Sequence, residues 1–411
     1  MPRMRPRRVE RLERFLLKLI QRPGADQGHP WRIRLLLGTL RTFSHGYRSV
    51  VQLRLFLYNR GIFRRYPLGV QVISVGNVTV GGTGKTPVVE IFARELQKEG
   101  RKVAILSRGY RKKEDPFLER LTDKLLLRTA TKLPRVVSDG TRLLLNSEMS
   151  GDEPYMLAGN LPDVAVIVDK DRVKGGRYAI NKLGCDTLIL DDGFQYQRLK
   201  HRVEVVLVDS TNPFGNGNCL PRGILREPAN NIRRADFIFI TKSDGSGHQK
   251  LRDQILELNP DVEFIECCHK SRYLQHVFTG EQQPLEILKG MRVVALSGIA
   301  VPAGFENSLE SLGATLAERV RFADHHRFSQ QEIIDVVNRA GELGADAILT
   351  TEKDAVRMTR LDRCDVPIYY LRVDIEILSG ASDFHSCIER ICFKGRERSR
   401  SRRRKRQWLE A

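Results

Sequence analysis

The sequence has little to staple it together and nothing to carry it through a bilayer. Its seven cysteines (185, 219, 267, 268, 364, 387 and 392) are odd in number, scattered, and contain no CxxC pair. That pattern excludes a disulfide framework and a zinc site as organising principles, and a reducing setting is expected. Cys267 and Cys268 precede His269, but neighbours on a strand point to opposite faces, so buried thiols are expected there. No run reaches the roughly 18 consecutive apolar residues that a spanning helix needs. The opening MPRMRPRRVERLERFLLKLIQRP is interrupted by Glu10 and Glu13 and no small-residue cleavage site follows, so a retained basic arm is expected rather than a leader. Acidic residues are the conspicuous shortage: 50 Asp and Glu face 69 Lys and Arg, for a net charge of +19. Partners are therefore expected to be anionic, with nucleotides, phosphorylated lipids and nucleic acid all qualifying.

What is present suits a globular chain of 411 residues, 41% hydrophobic and 29% charged, long enough for two cores. The segment WRIRLLLGTLRTFSHGYRSVVQLRLFLY places Ile33, Leu36, Leu40, Phe43, Tyr47, Val50 and Val51 at helical spacing among Arg32, Arg34, Arg41, Arg48 and Arg54. Such a basic amphipathic helix either lies in a membrane interface or packs on the domain behind it. Beyond it, VQVISVGN, KVAILSRGY, DVAVIVD, CDTLILDDGFQ, VEVVLVDS and ADFIFITKSD are continuous apolar runs ending in polar residues. These are expected to be parallel strands buried on both faces, with function at their carboxyl ends. The expected fold is α/β: a P-loop NTPase-like, doubly wound, mostly parallel sheet, a second smaller α/β lobe and the N-terminal amphipathic helix. The boundaries read as an arm over 1–30, the helix over 31–65, a P-loop core over 66–245, a strand-bearing linker over 246–289, the smaller lobe over 290–392 and a basic disordered tail over 393–411.

Between the first apolar run and a helical pattern lies VGGTGKT. Gly81, Gly82, Thr83 and Gly84 supply a backbone cradle for phosphates at a helix N-terminus, Lys85 is placed to reach the β and γ phosphates of ATP, and Thr86 to ligate Mg²⁺. The usual GxxxxGK[ST] pattern asks for glycine where Thr79 stands, and the extra lysine of partitioning-type ATPases would fall at Val80. Asp191 and Asp192 end an apolar strand and are expected near the metal. Asp152 and Glu153 open a helix in GDEPYMLA, and RFADHHRF clusters Asp324, His325 and His326. An aspartate and a histidine from different lobes are suited to pair across a cleft, the histidine orienting a carboxylate that accepts a hydroxyl proton.

Taken together, SVGNVTVGGTGKTP, SRGYRKK, VSDG, GDEPYMLA, DKDRVKGG, DDGFQ, LPRGILREP, SGIAVPAGF, DHHRF and TTEKDAVRM resemble, in order and approximate spacing, the tetraacyldisaccharide 4′-kinase family. The resemblance runs from about Ser49 to Tyr370. It implies phosphorylation of the 4′ hydroxyl of an acylated disaccharide 1-phosphate, a lipid A precursor, from ATP and Mg²⁺ at the cytoplasmic face of a bacterial inner membrane. It carries the P-loop role onto Gly81–Thr86, the acidic pair onto Asp191 and Asp192, and the catalytic dyad onto Asp152 and His325. Ser107, Tyr110, Glu153, Arg172 and Gln195 match positions near the disaccharide or the phosphates, and Arg226 is a further substrate-binding candidate. SGIAVPAGF departs from the family's usual GIgnP at Ala300 and Val301.

An anionic membrane surface is the partner expected for the amphipathic helix, touched monotopically. The alternative from another class is a partitioning-type P-loop ATPase switch controlling membrane or DNA association. RSRSRRRKRQ near the C-terminus would neutralise phosphates without sequence preference, so no specific nucleic acid is expected.

Overall fold

The structure, a computed structural model, describes residues 30–109, 133–361 and 364–392. Tyr110, the arm before Pro30 and the tail from residue 393 lie outside the described residues. In chain order the elements are α1 Trp31–Asn59, β1 Gln71–Asn77, α2 Lys85–Lys98, β2 Val103–Ser107, β3 Arg135–Asp139, α3 Asp152–Asn160, β4 Ala165–Val168, α4 Arg172–Leu183 and β5 Thr187–Asp191. They continue with β6 Val203–Asp209, β7 Phe237–Thr241, α5 Gln249–Leu258, β8 Glu263–His276, β9 Gln282–Gln283, β10 Arg292–Ser297, α6 Pro302–Ser311, β11 Thr315–Arg321, α7 Gln330–Glu342, β12 Ala347–Thr351, β13 Ile368–Ser379 and α8 Ala381–Cys392. The chain is thus α/β, with mostly parallel strands.

Two compact units divide it, each gathered from separate stretches. The first takes the chain through Lys85, then Thr187–Cys268 and the residues from Ile377 onward; the second takes Thr86–Asp186 and His269–Glu376.

In the first unit β1 lies between β5 and β6, β6 pairs β7, and β7 pairs the start of β8, all in parallel. Every residue of β1, β5 and β7 is buried, which is why these segments read as unbroken apolar runs instead of alternating ones. Leu251 and Ile255 of α5 join the core formed by Val206, Val208, Ile238 and Ile240. Helix α1 buries Leu37, Ser44, Leu55 and Tyr58. Its Ser44 hydroxyl donates to Cys219 O at 2.7 Å and its Tyr47 hydroxyl to Arg226 O at 3.0 Å. At 100° per residue the opposite face carries Trp31, Leu35, Phe43, Val50, Leu53 and Phe56, all exposed. Both readings of this helix thus find a face: one side packs on the first unit and the other shows apolar side chains to solvent. No helix among the described residues is long and apolar enough to cross a membrane.

In the second unit β2 pairs β4 in parallel and β3 pairs β4 antiparallel. A further parallel set runs β11, β10, β12, β13. Ile333, Val336, Val337 and Ala340 of α7 pack on Val294, Leu296 and Ile348. Ser329 starts α7 with a reciprocal capping box to Glu332, which satisfies two of the helix's orphan donors.

Candidate active site

β1 delivers the chain to the glycine loop through Asn77, whose side chain is fully buried. Its Nδ2 donates to Thr79 O at 2.8 Å and to Thr83 Oγ1 at 3.0 Å, while its Oδ1 accepts from Lys85 Nζ and Arg226 Nη1, each at 3.3 Å. Thr79 is buried and bridges Leu225 antiparallel. Val80 N donates to Ile224 O, and Arg226 N to Val78 O, both at 2.7 Å. The residue standing where the common pattern has glycine is therefore a point of attachment to the LPRGILREP segment. Gly81 and Gly84 have φ of 124° and 79°, conformations that a side chain resists.

The second half of this cradle is Asp191-Asp192-Gly193-Phe194. Gly193 N donates to Val75 O at 3.0 Å, and a β-carbon on Gly193 would lie 2.5 Å from Ser74 Oγ, so only glycine lets the turn press on β1. The turn puts Asp192 in the left-handed region at φ 57°. Its carboxylate takes both prongs of Arg226, at 2.6 and 2.9 Å, with Lys85 Nζ at 3.6 Å. Burial works against the Arg226 charge, but Asp192 outweighs it and holds the guanidinium proton more firmly than usual. Gln195 Nε2 donates to Asn77 O at 2.9 Å, and Arg54 of α1 donates to Gln195 O at 2.9 Å.

As for Mg²⁺, the Thr86 hydroxyl at the start of α2 and the Asp191 carboxylate at the end of β5 are hard oxygen donors on buried residues. Each is of the donor type preferred by Mg²⁺, an ion that takes one or two protein oxygens and completes its shell with phosphate and water. No cluster of three His, Cys, Asp or Glu among the described residues is placed to hold a metal by itself.

The second unit brings Asp152 and His325 together. Gly151, at φ 92° and ψ 156°, turns the chain so that Asp152 opens α3, where a carboxylate also meets the positive end of the helix dipole. His325 has φ 63°, and its N–H donates to Gly298 O at 3.0 Å; a left-handed non-glycine residue fastened this way is a common mark of a functional site. The expectation had these two residues come from different lobes; they belong to one compact unit. His325 Nδ1 lies 3.1 Å from Asp152 Oδ2. Arg357 Nε donates to the same oxygen at 2.8 Å and Arg327 Nη2 to Oδ1 at 3.3 Å. Burial pushes this carboxyl up, but the contact with His325 and the charges of Arg357 and Arg327 more than offset it, so Asp152 stays below the usual carboxylate range.

Of the expected substrate contacts, Ser107 is buried at the end of β2 and Arg172 is buried in the first turn of α4. Glu153 forms an ion pair with Lys353. The residues that residue-type reasoning passed over are Asn77, Arg357, Asp354 and Lys353. All four stand inside motifs that were recognised, but nothing in GN or KDAVRM by itself announces a side chain that bonds to four partners.

The family model for tetraacyldisaccharide-1-phosphate 4′-kinase matches residues 36–392. The chain belongs to that family. A curated tetraacyldisaccharide 4′-kinase from Anaeromyxobacter sp. (strain K) is 40% identical over 352 residues, covering 84% of this chain and 87% of the relative. One from Halothermothrix orenii is 33% identical over 401 residues, covering 93% and 98%. Among solved structures, LpxK from Aquifex aeolicus in complex with ATP superposes with a TM-score of 0.67 at 30% identity, covering 87% of this chain and 100% of the relative. Membership in a kinase family with an ATP-bound member does not favour the partitioning-type switch.

Proposed function

We propose that this chain transfers the γ-phosphoryl group of ATP to the 4′ hydroxyl of a tetraacyldisaccharide 1-phosphate, at an anionic membrane surface on the cytoplasmic side. The observation that carries the reading is the pairing of Asp152 with His325, inside a chain whose family is defined by this reaction. The sugar oxygen bonds to the γ phosphorus, the bond to the β,γ-bridging oxygen breaks, ADP departs, and the hydroxyl proton passes to Asp152. Lys85 neutralises charge on the transferring group, and the glycine-loop N–H groups hold the phosphates. Thr86 with Asp191 or Asp192 would hold Mg²⁺, which would supply further neutralisation. Asp152, being ionised throughout the neutral range, is ready to accept a proton without first losing one. Ser107, Tyr110, Glu153, Arg172, Gln195 and Arg226 are the residues proposed to contact disaccharide or phosphate.

The exposed apolar face of α1 supports membrane docking, since an acylated substrate stays in its bilayer and the arginines along the helix suit lipid phosphates. The test of the reaction is incubation with γ-labelled ATP and an acylated glucosamine disaccharide 1-phosphate in detergent. Label on the sugar is the expected outcome; label released only as inorganic phosphate sinks the reading.

A further inference from the structure

Arg357 is 1% exposed at its side chain, and its guanidinium donors can be followed one by one. Nε donates to Asp152 Oδ2 at 2.8 Å. Nη1 donates to Asp354 Oδ1 at 2.9 Å and to Gly298 O at 3.1 Å. Nη2 lies 3.1 Å from His325 Nδ1 and has no other acceptor among the described residues. His325 Nδ1 therefore faces two groups of fixed character: Arg357 Nη2, which only donates, and Asp152 Oδ2, which as a carboxylate oxygen only accepts. It can satisfy one of them.

Counting partners decides which. A proton on Nδ1 would point to Oδ2, which already accepts from Arg357 Nε, and would leave buried Nη2 with no acceptor. A lone pair on Nδ1 accepts from Nη2 while Oδ2 keeps Arg357 Nε, and the two acceptors, 3.1 Å apart, are bridged by the one guanidinium charge. A buried donor without an acceptor is costly, the more so for a charged group, so the second arrangement prevails.

We propose that Arg357 is a positioning residue of the phosphoryl-transfer site: it fixes His325 as the Nε2–H tautomer and clamps Asp152 Oδ2, leaving Oδ1 as the oxygen that takes the hydroxyl proton. The proposal rests on the kinase reading only for that last step. It transfers the orienting role from the histidine to the arginine. The Arg357 clamp is itself anchored, because Asp354 Oδ2 accepts from Gly298 N at 3.0 Å and from the Thr351 hydroxyl at 2.7 Å. Gly298 O receives both Arg357 Nη1 and the His325 N–H, so ring and guanidinium are registered on one carbonyl. Around Oδ1, among the described residues, stands Arg327, whose side chain is 41% exposed and donates more closely to Ser147 O, at 3.0 Å, than to Oδ1, at 3.3 Å. On the far side of the ring, Nε2 lies 3.9 Å from Asp324 Oδ2, an acceptor of the right sign for an Nε2–H. Among the described residues, charged groups facing the dyad include Arg357, Arg327, Asp324 and, behind the clamp, Asp354; Glu153, next to Asp152 in sequence, pairs with Lys353.

The experiment has two arms. In protein labelled with ¹⁵N at histidine, with the His325 signals assigned by their loss in His325→Gln, wild type is expected to show an unprotonated Nδ1 and a protonated Nε2 at neutral pH. A protonated Nδ1 there overturns the proposal, whatever the variants do. In the transfer assay Arg357→Lys retains the charge but not the fork, and is expected to lower kcat ~10–100-fold with the KM for ATP unchanged within about twofold. Its acid limb of kcat against pH should stay near the wild-type position. Arg357→Gln also loses the charge, so the acid limb should move to higher pH. Wild-type kcat in both variants, or an equal fall in both with neither the limb nor the ¹⁵N pattern moved, reduces Arg357 to a structural part. If either variant fails to fold, the wild-type spectrum still decides the tautomer. Absence of sugar phosphorylation by wild type would remove the kinase reading while leaving the tautomer assignment to that spectrum.

Discussion

Two aspartates, each gripped by an arginine, are held in opposite ways. Asp192 in the first unit has a side chain 29% exposed, and its cations, Arg226 and Lys85, are 22% and 19% exposed. Asp152 in the second unit is 10% exposed, and Arg357 is 1%. At Asp192 the cations stand in a loop and beside a glycine cradle, and the 3.6 Å contact to Lys85 is long for an ion pair. Phosphate oxygens can take that ammonium over at little cost, because so long a contact between partly exposed groups is weak. At Asp152 the guanidinium is buried and bonded to Asp354 and Gly298 as well, and removing one partner of such a pair is costly because the charge left behind stays out of water. The pairing around Asp192 is built to exchange partners, and the pairing around Asp152 to keep them.

The largest expected effect breaks the second half of that contrast. Asp152→Asn keeps the shape of the side chain but removes the proposed base and the charge facing Arg357. Sugar phosphorylation should fall ~10²–10⁴-fold in kcat, while the Kd for ATP measured by calorimetry stays within about twofold. An equal loss of ATP binding would remove Asp152 from the role given to it. Lys85→Ala attacks the first half and should do the reverse in kind, weakening ATP binding as well as lowering kcat by ~10²-fold or more. A Lys85→Ala protein that binds ATP as wild type does would show that the ammonium stays with Asp192 and never meets phosphate.

Arg226→Gln sharpens the contrast with a smaller effect. Without the fork, Asp192 loses its nearest cation and should draw Lys85 in from 3.6 Å. ATP must then displace a full ion pair, so its KM should rise about three- to tenfold, a cost of roughly 1 kcal/mol, with kcat affected less. Steady-state kinetics in ATP checks it; an unchanged KM would mean that Lys85 is held by Asn77 rather than shared with Asp192.

How much of this was legible beforehand follows from what kind of signal each feature leaves. The parallel strands were, because burial on both faces writes itself as unbroken apolar runs such as VQVISVGN and TLILD. Helix α5 was not, since only Leu251 and Ile255 of its ten residues are buried, too few to stand out from the strand-rich segment after it. The glycine loop and the acidic strand end were legible from residue type and order. Asp152 and His325 were found through a familiar set of motifs, though their spacing in the sequence says nothing of the 3.1 Å between them. Arg357 was invisible: it reaches a carboxylate 205 positions away, and a single arginine in a chain with 69 basic residues carries no local mark. Nor does composition foretell the left-handed backbone at Asp192 and His325; the surroundings impose it, through Gly193 pressed on Ser74 in one case and the Gly298 carbonyl in the other.

The smallest effect on chemistry should come from the exposed face of α1, and that smallness is informative. Leu35, Phe43 and Leu53 are 65%, 64% and 57% exposed, so replacing all three by serine disturbs no core and should leave thermal unfolding where it was. In detergent, where substrate reaches the protein from a micelle, kcat should also be unchanged. On vesicles containing anionic lipid, each lost side chain removes about 1.5–3 kcal/mol of available burial at full immersion, so flotation with the membrane should fall severalfold or more. The dyad and the glycine cradle would then be seen to work without α1's apolar face, which serves only to bring them to a bilayer. Equal flotation of the triple variant and wild type would instead leave α1 as a helix that packs through Leu37, Leu55 and Tyr58 and does nothing further with its other side.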